Sequence, residues 1–239
     1  MSKTLGVLGG LGPAASVYFY RLLTEHTAAV CDQEHLNIVL ISNAEIPDRS
    51  EYIMGKSDRS PLPAMQQSVA RLVAAGAEII AIPCNTAHYF FNEIARTSPV
   101  PVLNIVRETV AAAAKHGVRR LGILATSGTV LAGAYPQAAK EHGIECIMPD
   151  VEEQRALMSL IYGSIKTAGT PDLDGFYRIA DTLLQGGCDA IVLGCTELSL
   201  IPKDARYEQY PFIDSLLVLA ARAITACEKK PTGFSEIYL

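Results

Sequence analysis

Gly76-Ala77-Glu78-Ile79-Ile80-Ala81-Ile82-Pro83-Cys84 and Gly187-Cys188-Asp189-Ala190-Ile191-Val192-Leu193-Gly194-Cys195 are two versions of one pattern. Each has a turn glycine, an acidic residue, a run of apolar residues and a terminal cysteine. Apolar runs without alternation suit strands buried on both faces, as in a parallel sheet covered by helices. Two more pairs flank this one. Leu5-Gly6-Val7-Leu8 matches Leu121-Gly122-Ile123-Leu124, and the loops beyond set Gly12 opposite Gly128. Pro101-Val102-Leu103-Asn104 matches Pro211-Phe212-Ile213-Asp214. Three matches in one order, offset by 110 to 116 positions, mark a long-period duplication.

Outward from these segments, short strand-like runs alternate with helical stretches. Strands are expected at 5–8, 37–42, 79–83, 100–103, 120–125, 144–148, 190–194 and 212–214. Helices are expected at 14–30, 60–75, 108–116, 130–142, 152–166, 173–186 and 216–229. The fold class is therefore α/β: two pseudo-symmetric lobes, each a mainly parallel sheet flanked by helices, with the active site in the cleft between them. Residues 1–104 plus about 215–239 should form the N-terminal lobe and 105–214 the C-terminal lobe. Ligands of such sheets bind beyond the carboxyl ends of the strands. Cys84 and Cys195 both stand there, and a pseudo-twofold axis brings them to one cleft.

The chain of 239 residues is 49% hydrophobic and 19% charged, with a net charge of −5. That is the balance of an ordinary globular protein. It offers no basic footprint for nucleic acid and no Lys/Arg cluster for a membrane surface. No apolar stretch approaches the ~20 residues of a bilayer span. Met1-Ser2-Lys3-Thr4 runs directly into a short apolar segment broken at Gly9-Gly10, which is not the layout of a signal peptide. The expectation is a cytoplasmic protein with reduced thiols. Six cysteines at irregular spacing do not read as a disulfide framework in that setting. Cys31, Cys146, Cys188 and Cys227 lack polar company at a strand end and read as small buried hydrophobes.

Cys84 and Cys195 differ because Asn85-Thr86 and Thr196-Glu197 follow them, where helix N-termini are expected to begin. Such termini stabilise thiolates and offer N–H groups to carboxylates. Duplicated thiols suit inversion of a stereocentre, which needs a base on one face of Cα, an acid on the other, and an exchange of roles in reverse. A thiol titrating near ~8.5 can serve as either. The weakly acidic Cα–H then requires donors around the α-carboxylate to stabilise the carbanion.

The chain resembles the aspartate/glutamate racemase superfamily, closest to its aspartate racemase branch. The segments that carry the resemblance span nearly the whole sequence. They are Leu5-Gly6-Val7-Leu8-Gly9-Gly10-Leu11-Gly12-Pro13, Ile46-Pro47-Asp48-Arg49-Ser50, Pro83-Cys84-Asn85-Thr86-Ala87-His88, Ala125-Thr126-Ser127-Gly128-Thr129, Tyr162-Gly163-Ser164-Ile165-Lys166 and Gly194-Cys195-Thr196-Glu197-Leu198. The resemblance implies a cofactor-independent enzyme that interconverts L- and D-aspartate, with glutamate as a second candidate. It makes Cys84 and Cys195 the catalytic thiols. It gathers Leu11, Asn85, Thr86, Thr126, Thr129 and Thr196 around the substrate, and looks to Arg49 and Lys166 for its side-chain carboxylate. It also implies a C-terminal helix crossing back onto the first lobe, and a homodimer. Glutamate racemases typically carry His after the second Cys-Thr pair; Glu197 here favours the aspartate branch.

Other readings compete. Gly10-Leu11-Gly12-Pro13-Ala14-Ala15 matches G-x-G-x-x-A, but the second strand ends at Ser42-Asn43 without the acidic residue a dinucleotide ribose needs. Pro13 fits the first turn of a helix, and the glycines would let backbone approach the substrate. Cys84, His88 and Cys195, with Glu197, could make a zinc-type set, but no second metal-like spacing supports it, and no metal is expected. A single-thiol decarboxylase or a maleate-type isomerase would use cysteine chemistry, although a decarboxylase leaves the second thiol unexplained. A small-molecule sensor on the same fold is the non-enzymatic alternative.

Overall fold

The structure, a computed structural model, describes residues 2–238, so the outer ends of the expected lobes at 1 and 239 lie outside the described residues. In the first half, β1 (Leu5–Gly9) leads into α1 (Pro13–Glu25), β2 (Ile38–Ser42), α2 (Arg49–Ile53), α3 (Leu62–Ala74), β3 (Ile79–Ala81) and α4 (Phe91–Thr97). After α5 (Ile105–Lys115) the second half runs β4 (Arg120–Leu124), α6 (Ser127–Ala132), α7 (Ala134–Lys140), β5 (Glu145–Ile147), α8 (Val151–Met158), α9 (Leu173–Gln185), β6 (Ala190–Leu193) and β7 (Phe212–Asp214). The last long helix is α10 (Ser215–Ala226).

Both sheets are parallel, in the orders β2-β1-β3 and β5-β4-β6-β7. The duplication extends to the missing fourth strand. Ile80 bridges Val102 just where the second half pairs β6 with β7. Ile80 N–H donates to Pro101 O at 2.9 Å, as Ile191 N–H donates to Pro211 O at 3.0 Å. The strand expected at 100–103 thus shrinks to one bridge. Pro99 and Pro101 have no N–H to give a ladder.

The period-two geometry of strands decides which core each residue enters. Leu5, Val7, Ile79, Ala81, Leu121, Ile123, Ala190 and Val192 turn into one central core that both halves share. The intervening Leu8, Ile80 and Ile82 face an outer core in the first half, and Leu124, Ile191 and Leu193 face another in the second. α10 is buried almost all round, with Leu216, Val218, Leu219, Ala220, Ala223 and Ile224 in the central core, as its nearly unbroken apolar sequence requires. It packs against α5 and α1. The tail beyond it returns to the first half, where Phe234 stacks on His26 at 4.2 Å.

Other departures from the sequence reading have local causes. The helix expected at 130–142 breaks at Gly133, which adopts φ 64° between α6 and α7. The stretch expected at 152–166 is α8 followed by a π-helical turn over Ser159–Ser164 and a 3-10 turn at Ile165–Thr167. α1 stops at Glu25 instead of reaching residue 30, and Cys31 beyond it is exposed rather than buried. Cys188 and Cys227 are buried, and Cys146 is half-buried. No helix among the described residues is long and apolar enough to cross a membrane.

Candidate active site

Cys84 follows β3 through Ile82-Pro83, and its N–H closes a tight turn onto Ile82 O at 2.8 Å. Cys195 follows β6, where Gly194 N–H donates to Leu124 O at 2.7 Å. Neither thiol sits at an α-helix N-terminus. Short 3-10 turns, Thr86–Phe90 and Leu198–Leu200, come after them. The expected helix-dipole stabilisation of a thiolate is therefore corrected, and side chains must set the charge at these sulfurs.

The two cysteines, only 6% and 5% exposed, line one cavity of about 10 Å³. That is room for roughly one water. Of the residues the sequence singled out, Leu11, Arg49, Asn85, Thr86, Lys166 and Thr196 line it with them. Thr126 and Thr129 do not. Thr86 Oγ1 lies 3.0 Å from Thr126 Oγ1 and 2.8 Å from Thr129 Oγ1, and Ser50 Oγ donates to Thr126 Oγ1 at 3.1 Å. Thr126 also caps α6 by accepting the Thr129 N–H at 3.2 Å. The two threonines stand one layer back and orient Thr86 and Ser50, which do reach the cavity.

Asn85 is fixed from behind. Tyr135 O–H donates to its Oδ1 at 2.7 Å, its Nδ2 donates to Ser215 Oγ at 3.0 Å, and Ser215 donates on to Leu193 O at 2.7 Å. Burial raises the Tyr135 hydroxyl far above its ordinary pKa, so it stays a donor. His88, weighed above as a metal ligand, is a brace. Ile105 N–H needs Nε2 as acceptor at 3.2 Å, so Nδ1–H donates to Cys84 O at 2.8 Å. Burial holds this imidazole below its ordinary pKa. Both ring nitrogens are taken by backbone, and among the described residues no group of three or more His, Cys, Asp or Glu side chains could hold a metal ion.

Two cations face the cavity. Arg49, at the start of α2, gives Nη2–H to Leu11 O at 2.6 Å and Nη1–H to Ile46 O at 3.3 Å and Pro47 O at 3.0 Å. Among the described residues its buried Nε–H has no hydrogen-bond partner. Burial opposes the guanidinium charge, but Cys84, Asp48 and Tyr162 around it hold its pKa above the ordinary value. Lys166 is presented by the 3-10 turn after the π-helical turn. Its Nζ lies 3.1 Å from Glu197 Oε1 and 4.9 Å from the Tyr162 ring centroid. Burial works against this ammonium too, yet Glu197 and the two cysteines raise its pKa.

The sequence reading did not assign four of the cavity's polar residues, Asp48, Ser50, Tyr162 and Glu197. Tyr162 O–H donates to Asp48 Oδ2 at 3.0 Å, tying the segment after α8 to the first half. Ser50 joins the hydroxyl cluster. Glu197, read above as a branch marker or spare metal ligand, accepts the Cys195 S–H at 3.0 Å. All four lie inside quoted motifs, but nothing in their spacing tells which atom each one meets.

The paired glycines mark close approaches between the halves. A Cβ on Gly12 would lie 2.5 Å from Glu197 Oε1, and one on Gly128 would lie 2.6 Å from Ser50 Cα. Gly128→Ala would therefore push α6 off α2 and break the hydroxyl cluster. We expect it to cost about 1–3 kcal/mol as overpacking, read as a lower Tm. Gly163→Ala, which meets nothing within 4 Å, should leave Tm unchanged.

The arrangement is a two-lobed α/β protein with a thiol at each duplicated strand end and two cations between them. The chain belongs to the Asp/Glu/Hydantoin racemase family, whose pattern matches residues 8–223. It superposes on the aspartate racemase of Picrophilus torridus with a TM-score of 0.84 and 31% identity over 99% of both chains. It is 25% identical to the broad specificity amino-acid racemase RacX of Bacillus subtilis (strain 168), over 92% of this chain and 96% of that one. A glutamate racemase of Aquifex aeolicus (strain VF5) is 28% identical over 68% of this chain and 64% of its own length.

Proposed function

We propose that the protein is an amino-acid racemase that inverts Cα of a dicarboxylic amino acid, aspartate before glutamate, without an organic cofactor. The observation that carries this reading is the lining of one small cavity by both duplicated thiols together with Arg49 and Lys166. One thiolate removes the α-proton while the opposite thiol delivers a proton to the other face, and the roles exchange in reverse. Thr86 and the second N–H of Asn85 supply donors for the α-carboxylate, where the carbanion's charge collects. The unpartnered Arg49 Nε–H and the Lys166 ammonium suit a side-chain carboxylate. The cavity is smaller than the substrate, so the segment carrying Tyr162 and Lys166 opens to admit it and closes to exclude water.

Similarity to an aspartate racemase and the Glu197 that follows the second Cys-Thr pair support aspartate. One methylene changes pocket affinity by only ~1–3 kcal/mol, so glutamate should turn over more slowly rather than not at all. The reading extends to a homodimer working in the cytoplasm.

The test is incubation of L- and D-aspartate, then of both glutamates, with the protein in deuterium oxide. The expected result is racemisation with solvent deuterium at Cα, indifferent to added pyridoxal phosphate or chelator. Absence of exchange with every amino acid tried would sink the enzyme and leave a binding module. Loss of activity on chelation would restore a metal.

A further inference from the structure

The two thiols are duplicated in sequence but not in surroundings. Cys84 stands with Arg49, whose charge it supports. Cys195 S–H points at Glu197 Oε2, 3.0 Å away, and that carboxylate is itself 5% exposed. Its other oxygen meets Lys166 Nζ at 3.1 Å as an ion pair outside hydrogen-bond geometry. Gly12 leaves the room in which this carboxylate sits.

We propose that Glu197 is a positioning residue that fixes the starting roles of the pair, holding Cys195 as the S–H partner and leaving Cys84 to take the α-proton first. The inference rests on the racemase reading and assigns each thiol its starting role. A thiolate at Cys195 would put two negative charges 3 Å apart in a buried site, whereas a thiol there makes a charge-assisted hydrogen bond. The other groups around Cys195 are Lys166 and Tyr162 from the segment after α8, Asp48 bonded to Tyr162, and Arg49 beside Cys84. Burial and then Glu197 push the Cys195 thiol well above its ordinary pKa, with Lys166 pulling the other way.

In the step that follows, Cys84 thiolate forms an S–H bond with the α-proton, and the C–H pair moves onto Cα and its carboxylate. Cα then takes the Cys195 proton, breaking that S–H bond and leaving Cys195 the thiolate. Nothing is oxidised or reduced. Lys166 is the cation that makes this second form accessible, and proton exchange with solvent restores the first.

The test is iodoacetamide alkylation of the whole protein across pH, with each cysteine followed by peptide mass spectrometry. Exposed Cys31 gives the rate reference. In the wild type Cys84 should react ahead of Cys195 at neutral pH. Glu197→Gln keeps the shape and removes the charge, so Cys195 should react on the order of ten-fold faster and titrate at lower pH, with Cys84 little changed. Lys166→Met should shift Cys195 the opposite way, which a merely structural role for either residue would not produce. In turnover, the upper limb of the kcat/KM profile should move to lower pH in Glu197→Gln. The shift must be equal from either enantiomer, because the equilibrium constant of a racemisation is one. Unchanged Cys195 reactivity in both variants, or acceleration at Cys84 instead, would overturn the proposal. Alkylation requires no turnover, so a protein that racemises nothing still reports on Glu197.

Discussion

Cys84→Ala and Cys195→Ala should each lower the racemisation of aspartate on the order of 10³-fold or more, and the double variant should be no worse than either one. The magnitude follows from removing a positioned acid or base, a loss of ~10²–10⁴-fold for one group. Both thiols are needed in each turnover, so the second loss finds nothing left to remove. The single variants differ in a way the double does not. With Cys195 replaced, Cys84 can still take the proton from one face and return a deuteron to the same face. Exchange without inversion should then appear with one enantiomer, and with the other when Cys84 is replaced. Proton NMR of the Cα–H in deuterium oxide, beside a chiral assay for inversion, separates the two events. Racemisation surviving in either single variant above about a tenth of wild type would place the chemistry on other groups.

The sequence told most about the residues that repeat. The duplicated apolar runs located the central strands of both sheets and put both thiols at their carboxyl ends, because burial on two faces leaves a composition that needs no partner to recognise. The Gly12 and Gly128 correspondence was legible too, but its cause was not. Glycine marks a close approach, and only the folded chain shows that Glu197 fills one gap and Ser50 the other. Side-chain contacts escape a linear reading for the same reason. The S–H bond from Cys195 to Glu197 spans two residues yet depends on a turn that is 3-10 rather than α-helical. The bond from Tyr162 to Asp48 joins residues 114 apart. The threonines show the opposite failure. Thr126 and Thr129 belong to the matched motifs, yet their hydroxyls are used on each other, on Thr86 and on the cap of α6.

Arg49 combines both kinds of role, and its substitution should separate them. Arg49→Met would strip donors from the carbonyls of Leu11, Ile46 and Pro47, each a buried or part-buried acceptor. An unsatisfied buried acceptor costs about 1–3 kcal/mol, and each kcal/mol lowers Tm by about 2–4 °C in a domain of this size. It would also remove the Nε–H that the fold leaves without a partner. A hydrogen bond to a charged group contributes ~1.5–3 kcal/mol, so dicarboxylate affinity should fall about 10- to 150-fold. Arg49→Lys should recover little of either, because one ammonium cannot span three carbonyls and a carboxylate. Lys166→Met removes a cation whose side chain is 23% exposed and leaves the buried Glu197 carboxylate without its ion-pair partner, so it should lower Tm as well as weaken the same ligands. The readout is competitive inhibition by succinate against butyrate, which differ by the second carboxylate. Succinate should lose affinity in all three variants while butyrate loses far less. Equal losses for the two inhibitors would reduce Arg49 to a brace of the loops around Leu11 and Pro47, and the choice of a dicarboxylate would then have to come from other groups.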